Sequence, residues 1–399
     1  ELLAFAMQMC LIMMTGYILA CSPPVRRLLD GLSGWSNPEK PWQAIVTMSL
    51  FSMIVAWFNW GTSLIASAML ALFIVKRNPK VDYRLLIAAA YLGLGCTWHS
   101  GFSGSSPLLV ATPDNFVIKA KLLDGVIPIS QTILHPFNLI LTLIIVVVVT
   151  ILMALMHPRP EKTFTVSPQL MDQLKLYEAP PKPQKWASPS DWMNWWPGFN
   201  IILFIGCLVW LIWHFSTKGF FYGLTLDVVN FSMLALGVLF HWRPWSFLKA
   251  TEDAGKAVWG IVLQFPFYAG ILGLFKYTML STVFTNAFVA ISTTQTFPLF
   301  LYWYGGLLNY LIPSGGGQFA VEAPYIIPAA KQLGVGMGTT VITFAWSDMM
   351  TDMIQPFWAI AMLAVAKLHF RDIMGWLLMV FFVYFIITSL AFLFFIPNW

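Results

Sequence analysis

The chain has 399 residues, of which 58% are hydrophobic, 16% aromatic and only 10% charged, with a formal net charge of +5 and a mean hydropathy of +0.74. Soluble domains carry about 25% charged residues, so this chain has too little polar surface for a globule in water. Its apolar runs are also too continuous for the alternating strands of a membrane barrel. It reads as an all-α integral membrane protein, with neither a cofactor nor a nucleic-acid partner expected and with membrane lipid as its surroundings.

Residues 1–21 form an apolar span that opens without Met and without a cleavable signal pattern, so further N-terminal sequence and at least one more span are expected. Cys10, Cys21, Cys96 and Cys207 lie in or beside apolar runs with no metal-ligand spacing, as packing residues do. After a short segment over 25–35, residues 42–75 are apolar but interrupted at Asn59, Gly61, Thr62 and Ser63, and they meet a basic loop over 76–84. A hairpin that dips in and returns puts Arg26, Arg27, Lys40, Lys76, Arg77, Lys80 and Arg84 on one face, which the positive-inside rule makes cytoplasmic. Residues 84–112 then cross outward, broken between Trp98 and Pro107. Residues 129–156 return, and their last 23 residues carry no charge, where a helical span needs about 20.

The first unit, 1–157, ends at a hydrophilic linker over 158–197 that holds 8 of the 25 prolines and reads as an irregular segment. The second unit, 198–399, repeats the plan. Spans at 200–215 and 226–241 lead to a charged interfacial stretch at 243–256 and a span at 257–280. A polar, Thr-rich stretch precedes a broken pair over 297–333, whose tip is Asn309, Ser314, Gly315, Gly316, Gly317 and Gln318. A broken span at 338–366 and a last span at 373–396 follow. On this layout Lys119, Lys121, Lys218, Lys276 and Lys331 are the only 5 of 22 basic residues facing outward.

The halves match in finer grain. Asn59 precedes Trp98 by 39 residues and Asn309 precedes Trp346 by 37; Trp98 precedes Pro107 by 9 and Trp346 precedes Pro356 by 10. One hairpin opens from the cytoplasm and the other from outside, which predicts inverted repeats whose discontinuous helices meet near the midplane, with the substrate site at their interface.

NWGTS at 59–63, WHSGFSGSSPLLVATP at 98–113, PSGGGQ at 313–318 and MIQPFWA at 353–359 resemble the AtoE family of short-chain fatty acid transporters over nearly the whole chain. The resemblance implies an elevator-type carrier of the ion transporter superfamily, with a mobile domain carrying both hairpins, in a bacterial inner membrane and as a possible homodimer. Phe319 and Asp352 depart from the family's pattern, which has Trp and an amide there.

A short-chain fatty acid is a carboxylate at neutral pH, yet neither tip holds Arg or Lys. The donors must then be backbone N–H groups and hydroxyls at half-helix N-termini. Asn59, Gly61, Thr62, Ser63, His99, Ser100, Ser103, Gly104, Ser105, Ser106, Asn309 and residues 314–318 are the candidate substrate ligands, with Trp60, Phe102, Phe319 and Trp358 available for a short alkyl tail. Asp348, Thr351, Asp352 and Gln355 recur at helical spacing and are expected on one face, as a proton path or a Na+ site near Asp348. Ser314 with His99 or Asp348 could be drawn as a hydrolase, but no GxSxG or HExxH supports it. Two opposed hairpins suit alternating access better than a channel. The reading is therefore a carrier of butyrate, acetate or acetoacetate coupled to H+ or Na+, with another small organic anion, a di- or tricarboxylate, as the alternative cargo.

Overall fold

The computed structural model describes residues 2–173, 181 and 188–399; Glu1 and, within the linker, residues 174–180 and 182–187 lie outside that description. The first half runs through α1 (Leu3–Cys21), α2 (Pro23–Ser33), α3 (Trp42–Phe58), α4 (Trp60–Arg77), α5 (Tyr83–Cys96), α6 (Ser105–Ala111), α7 (Phe116–Lys119) and α8 (Pro136–Leu155). Two short helices follow, α9 (Pro168–Gln173) and α10 (Pro189–Trp195). The second half holds α11 (Gly198–Lys218), α12 (Phe220–Gly223), α13 (Leu226–His241), α14 (Pro244–Gly255), α15 (Trp259–Tyr277), α16 (Leu280–Ile291), α17 (Phe297–Leu311), α18 (Gly315–Leu333), α19 (Met337–Asp352), α20 (Ala359–Ala366) and α21 (Phe370–Phe394). Seven stretches among the described residues are helical, long and apolar enough to cross a membrane, which makes this a multi-pass membrane protein.

The helices break where the local chemistry changes. Asn59 ends α3 in an extended conformation (φ −157°, ψ 111°), and its side-chain oxygen accepts the Thr62 N–H at 2.7 Å to start α4. Ser314 does the same at the second tip, with φ −160°, ψ 101° and its Oγ accepting from Gly317 N at 3.2 Å. A short acceptor side chain at each N-cap satisfies a donor that hydrocarbon could not. The polar, Thr-rich stretch before the second hairpin is helical from Leu280 to Ile291, where Ser281 and Thr285 donate to the carbonyls of Pro324 and Tyr325.

Burial separates inner from outer helices. In the most apolar 18-residue window of each span, 94% of the residues are buried within Tyr83–Lys119 and 83% within α4, against 33% in each of α8 and α21 and 6% in α11, so the last three present apolar surface outward. α3 and α4 pack on α5, and α17 and α18 pack on α19; α5 and α8 then meet α19 and α21 across the middle. At one end the chain gathers Asp82, His157 and Phe164, and Tyr83 donates to the Ala366 carbonyl at 3.0 Å. At the other, Trp399 donates to Gln131, Gly336 N to Asn398, and Thr294 to Leu333. The first hairpin therefore opens at the end that holds Ala366, and the second at the end that holds Trp399.

Asn138 on α8 ties the halves together. Its Nδ2 donates to the carbonyls of Ser100 and Ile133, each at 2.8 Å, and its Oδ1 accepts from Trp346 Nε1 at 2.8 Å. Asn138→Leu orphans these groups at about 1–3 kcal/mol each. The expected outcome is a clearly lower thermal midpoint in detergent, followed by tryptophan fluorescence; an unchanged midpoint would mean the bonds are replaceable.

Candidate functional site

Four chain breaks converge: the start of α4, the loop between α5 and α6, the start of α18, and the loop after α19. The rings of Trp60 and Trp98 lie 6.2 Å apart, those of Trp60 and Trp358 lie 5.3 Å apart, and Trp358 Nε1 donates to the Pro313 carbonyl at 2.7 Å. Between them is a partly open cavity of about 30 Å³, lined by Trp60, Leu94, Trp98, Ser105, Ser314, Gly315, Gly316, Asp352 and Trp358, with Met9 of α1 and Ile261, Gln264 and Phe265 of α15 also lining it. One end is aromatic and aliphatic. The other offers hydroxyls and the first N–H groups of α18, for which a helix provides no carbonyl partner.

Behind this wall sits a polar network contributed by both halves. His99 Nε2 accepts the Ser106 backbone N–H at 3.0 Å, and the hydroxyls of Ser105 and Ser106 lie 3.2 and 2.9 Å from the same nitrogen. That bonding assigns the ring hydrogen to Nδ1, which donates to Asp348 Oδ2 at 2.6 Å and leaves the imidazole neutral. Asp352 receives two donors, Trp98 Nε1 at 2.9 Å and Asn309 Nδ2 at 2.9 Å. Asn309 also donates to the Asp348 carbonyl at 2.6 Å and to Thr351 Oγ1 at 3.0 Å. Asp348 Oδ1 has no partner. The serine–histidine–aspartate order resembles a hydrolase triad, but Nε2 already accepts the Ser106 backbone N–H at the start of α6, so it is not free to take a proton from a serine hydroxyl.

The expected site residues divide into two groups. Ser105, Ser314, Gly315, Gly316 and Asp352 line the cavity; His99, Ser106, Asp348 and Gly317 stand directly behind it. The rest hold the breaks in shape. Asn59 and Thr62 form the first cap, Gly61 lies against Ile12 and Met13 of α1, and Ser63 donates to Ser52 O at 2.7 Å. Ser100 donates to Thr97 O, Ser103 to Ala56 O, and Gly104 N to Gly101 O. Gln318 and Thr351 donate to the carbonyls of Gly305 and Gly306, both on α17.

Three expectations change. Gln355 does not continue the stripe of Asp348, Thr351 and Asp352, because α19 ends at Asp352 and Gln355 Oε1 caps the following turn through Phe357 N at 2.7 Å. Within 103–106 the Gly104 and Ser106 N–H groups are not free donors, since they bond to Gly101 O and His99 Nε2. Phe102 and Phe319 pack against Trp57 and Phe344, away from the cavity, so only Trp60 and Trp358 of the expected aromatic residues reach it. Met9, Gln264 and Phe265 carried no local signal in the sequence, being ordinary residues of apolar spans. Trp98 did, as a landmark shared by both halves. Among the described residues no three His, Cys, Asp or Glu side chains are grouped to hold a metal ion, so Na+ beside Asp348 would rest chiefly on carbonyl and hydroxyl oxygens.

A family model described as short chain fatty acid transporter matches residues 1–395. The chain is 37% identical over 379 residues to an Escherichia coli (strain K12) protein provisionally described as a short-chain fatty acid transporter, covering 94% of this chain and 83% of that one. A Haemophilus influenzae protein with the same provisional description is 34% identical over 381 residues, with the same 94% and 83% covered. In fold, the chain is similar to the crystal structure of the YdaH transporter of Alcanivorax borkumensis, with a TM-score of 0.57 and 16% identity, covering 97% of this chain and 85% of that one.

The glycine run works by close approach. None of Gly315, Gly316 and Gly317 has a positive φ; a Cβ on Gly315 would collide with His99, Trp98 and Asp348, and one on Gly316 with the Phe5 ring. Gly316→Val is expected to leave a folded membrane protein whose substrate uptake in proteoliposomes falls at least ~10-fold, equivalent to about 1.4 kcal/mol. Wild-type uptake would show that the tip backbone is not near the substrate.

Proposed function

The chain belongs to the short chain fatty acid transporter family, and from that membership we propose a secondary carrier that moves butyrate, acetate or acetoacetate across a bacterial inner membrane, coupled to H+ or Na+. It is a transporter and not an enzyme. The observation that carries the proposal is the position of Asp352, which lines a small cavity together with Gly315, Gly316, Ser105, Ser314 and three tryptophans. A monocarboxylate seated there would find N–H and O–H donors for its head and indole faces for its tail. It would also meet the Asp352 carboxyl, and no Lys or Arg among the described residues is paired with Asp348 or Asp352. Two like charges at that distance in a poorly hydrated space repel strongly, so the anion enters with a cation. That cation is the coupling ion, held by Asp348 and Asp352 with Thr351 beside them. A di- or tricarboxylate would bring further charge with nothing to meet it.

The transport cycle in this reading is an elevator movement of the two hairpins and the two broken helices against a frame that includes α1, α13 and α15. The matching backbone at Asn59 and Ser314, and hairpins that open at opposite ends of the molecule, support inverted repeats.

Two measurements test it. In proteoliposomes, saturable butyrate uptake and counterflow are expected, with accumulation driven by a proton or a sodium gradient imposed separately; absence of counterflow would remove the carrier. Asp348→Asn should abolish accumulation while sparing exchange, because an amide neither releases a proton nor supplies charge to a cation. For sidedness, Asn78 is buried, whereas Lys76 and Gln295 are exposed at the open ends of the two hairpins. In a background without cysteine, Lys76→Cys should label only from the cytoplasm and Gln295→Cys only from outside; labelling of both from one side would dismantle the inverted plan.

A further inference from the structure

Glu322 belongs to no part of the site described above. It lies in α18, one turn beyond Gln318, with none of its surface exposed. Its Oε1 accepts from Gln318 Nε2 at 2.6 Å, and the same amide nitrogen donates to the Gly305 carbonyl at 2.7 Å. Its Oε2 has no partner. We propose that Glu322 is a proton-carrying site that latches the second hairpin: its carboxyl takes a proton from water while the hairpin tip is open, stays neutral while the tip is closed, and returns the proton to water on the opposite side.

The surroundings favour this over a structural acid. The elements packed on α18 are α6, α15, α16, α17 and α19. α6 and α16 contain no titratable residue. Toward Glu322, α17 brings Tyr304, whose hydroxyl is bonded to Tyr325 of α18 at 3.0 Å, and α19 brings Asp348; Tyr268 of α15 lies instead against the tip at Gly317. His99 is turned to Asp348 and the serines of α6. Lys331, at the far end of α18, pairs with exposed Asp124. No cation among the described residues faces the carboxyl, and a lone ionised carboxylate in such a place is strongly disfavoured. A metal ion is a poor substitute, since it needs a cage of oxygens and Oε1 is met by an N–H group. A proton needs only the carboxyl itself.

The link to the substrate site runs through one helical turn. Gln318 follows the Gly315–Gly317 run and is anchored between Gly305 and Glu322, so an ionised Glu322 would demand water and loosen the turn that presents the Gly315 and Gly316 N–H groups. Proton occupancy and closure of the tip then become one event. This rests on the carrier reading but adds a second acid to Asp348.

The test uses the full chain in proteoliposomes, with an internal pH dye and labelled butyrate. Glu322→Gln is expected to retain counterflow and to lose a proton from each cycle, so less proton entry accompanies the same butyrate. A proton-to-butyrate ratio equal to that of wild type overturns the proposal. Infrared spectroscopy of wild-type protein with carbon-13 glutamate needs no variant. A protonated-carboxyl band shifted by the label at neutral pH is expected, and its absence also overturns the proposal. If wild-type vesicles fail to move butyrate at all, the carrier reading fails, and the infrared band still decides whether Glu322 holds a proton.

Discussion

Hydrocarbon offers no hydrogen-bond partner, so a backbone opened at membrane depth must be completed from within the protein. This constraint organises the whole molecule. The chain opens at four places: each hairpin tip is capped from its own half, whereas the loops after α5 and α19 are completed largely by each other's half. Trp98 of the first half donates to Asp352 of the second, His99 to Asp348, and Tyr91 to the carbonyls of Asp352 and Gln355. Trp346 of the second half reaches Asn138 of the first. The interface between halves is thus polar at its centre and apolar at its edges, the reverse of a soluble core.

Charge follows the same logic. Four carboxyl groups are buried among the described residues. Asp82, at one end, and Asp352 each receive a donor on both oxygens; Asp348, bonded to a histidine whose bonding leaves it neutral, and Glu322 do not. One oxygen each of Asp348 and Glu322 has no hydrogen-bond partner, and Asp348 stands beside the glycine tip.

Much of this was legible in the sequence. Helix breakers such as Asn59 and the run at 313–317 stand out within apolar spans because lipid forbids them without cause, and charge placement ordered the spans around them. Other features depend on contacts that no local pattern carries. α16 was hidden because its Ser and Thr residues resemble a loop until their carbonyl partners on α18 are known. Gln355 kept helical spacing with Asp348 on paper, but the backbone turns after Asp352. The outer cavity wall of Met9, Gln264 and Phe265 is invisible in sequence, since an apolar span gives no sign of which few of its residues will face a cavity.

The His99–Asp348 bond has a consequence for how the protein is made. Its partners are 249 residues apart, which at a synthesis rate of 5–20 residues per second corresponds to a delay of roughly 12–50 s. Throughout that interval the first half holds an opened helix, an imidazole and an indole N–H without the carboxylates that complete them. Insertion therefore has to keep this polar seam wet, or shielded by the insertion machinery, until α19 arrives. The same bonds that close the finished carrier leave the half-made chain exposed, and that half is the stage most open to capture by membrane quality control.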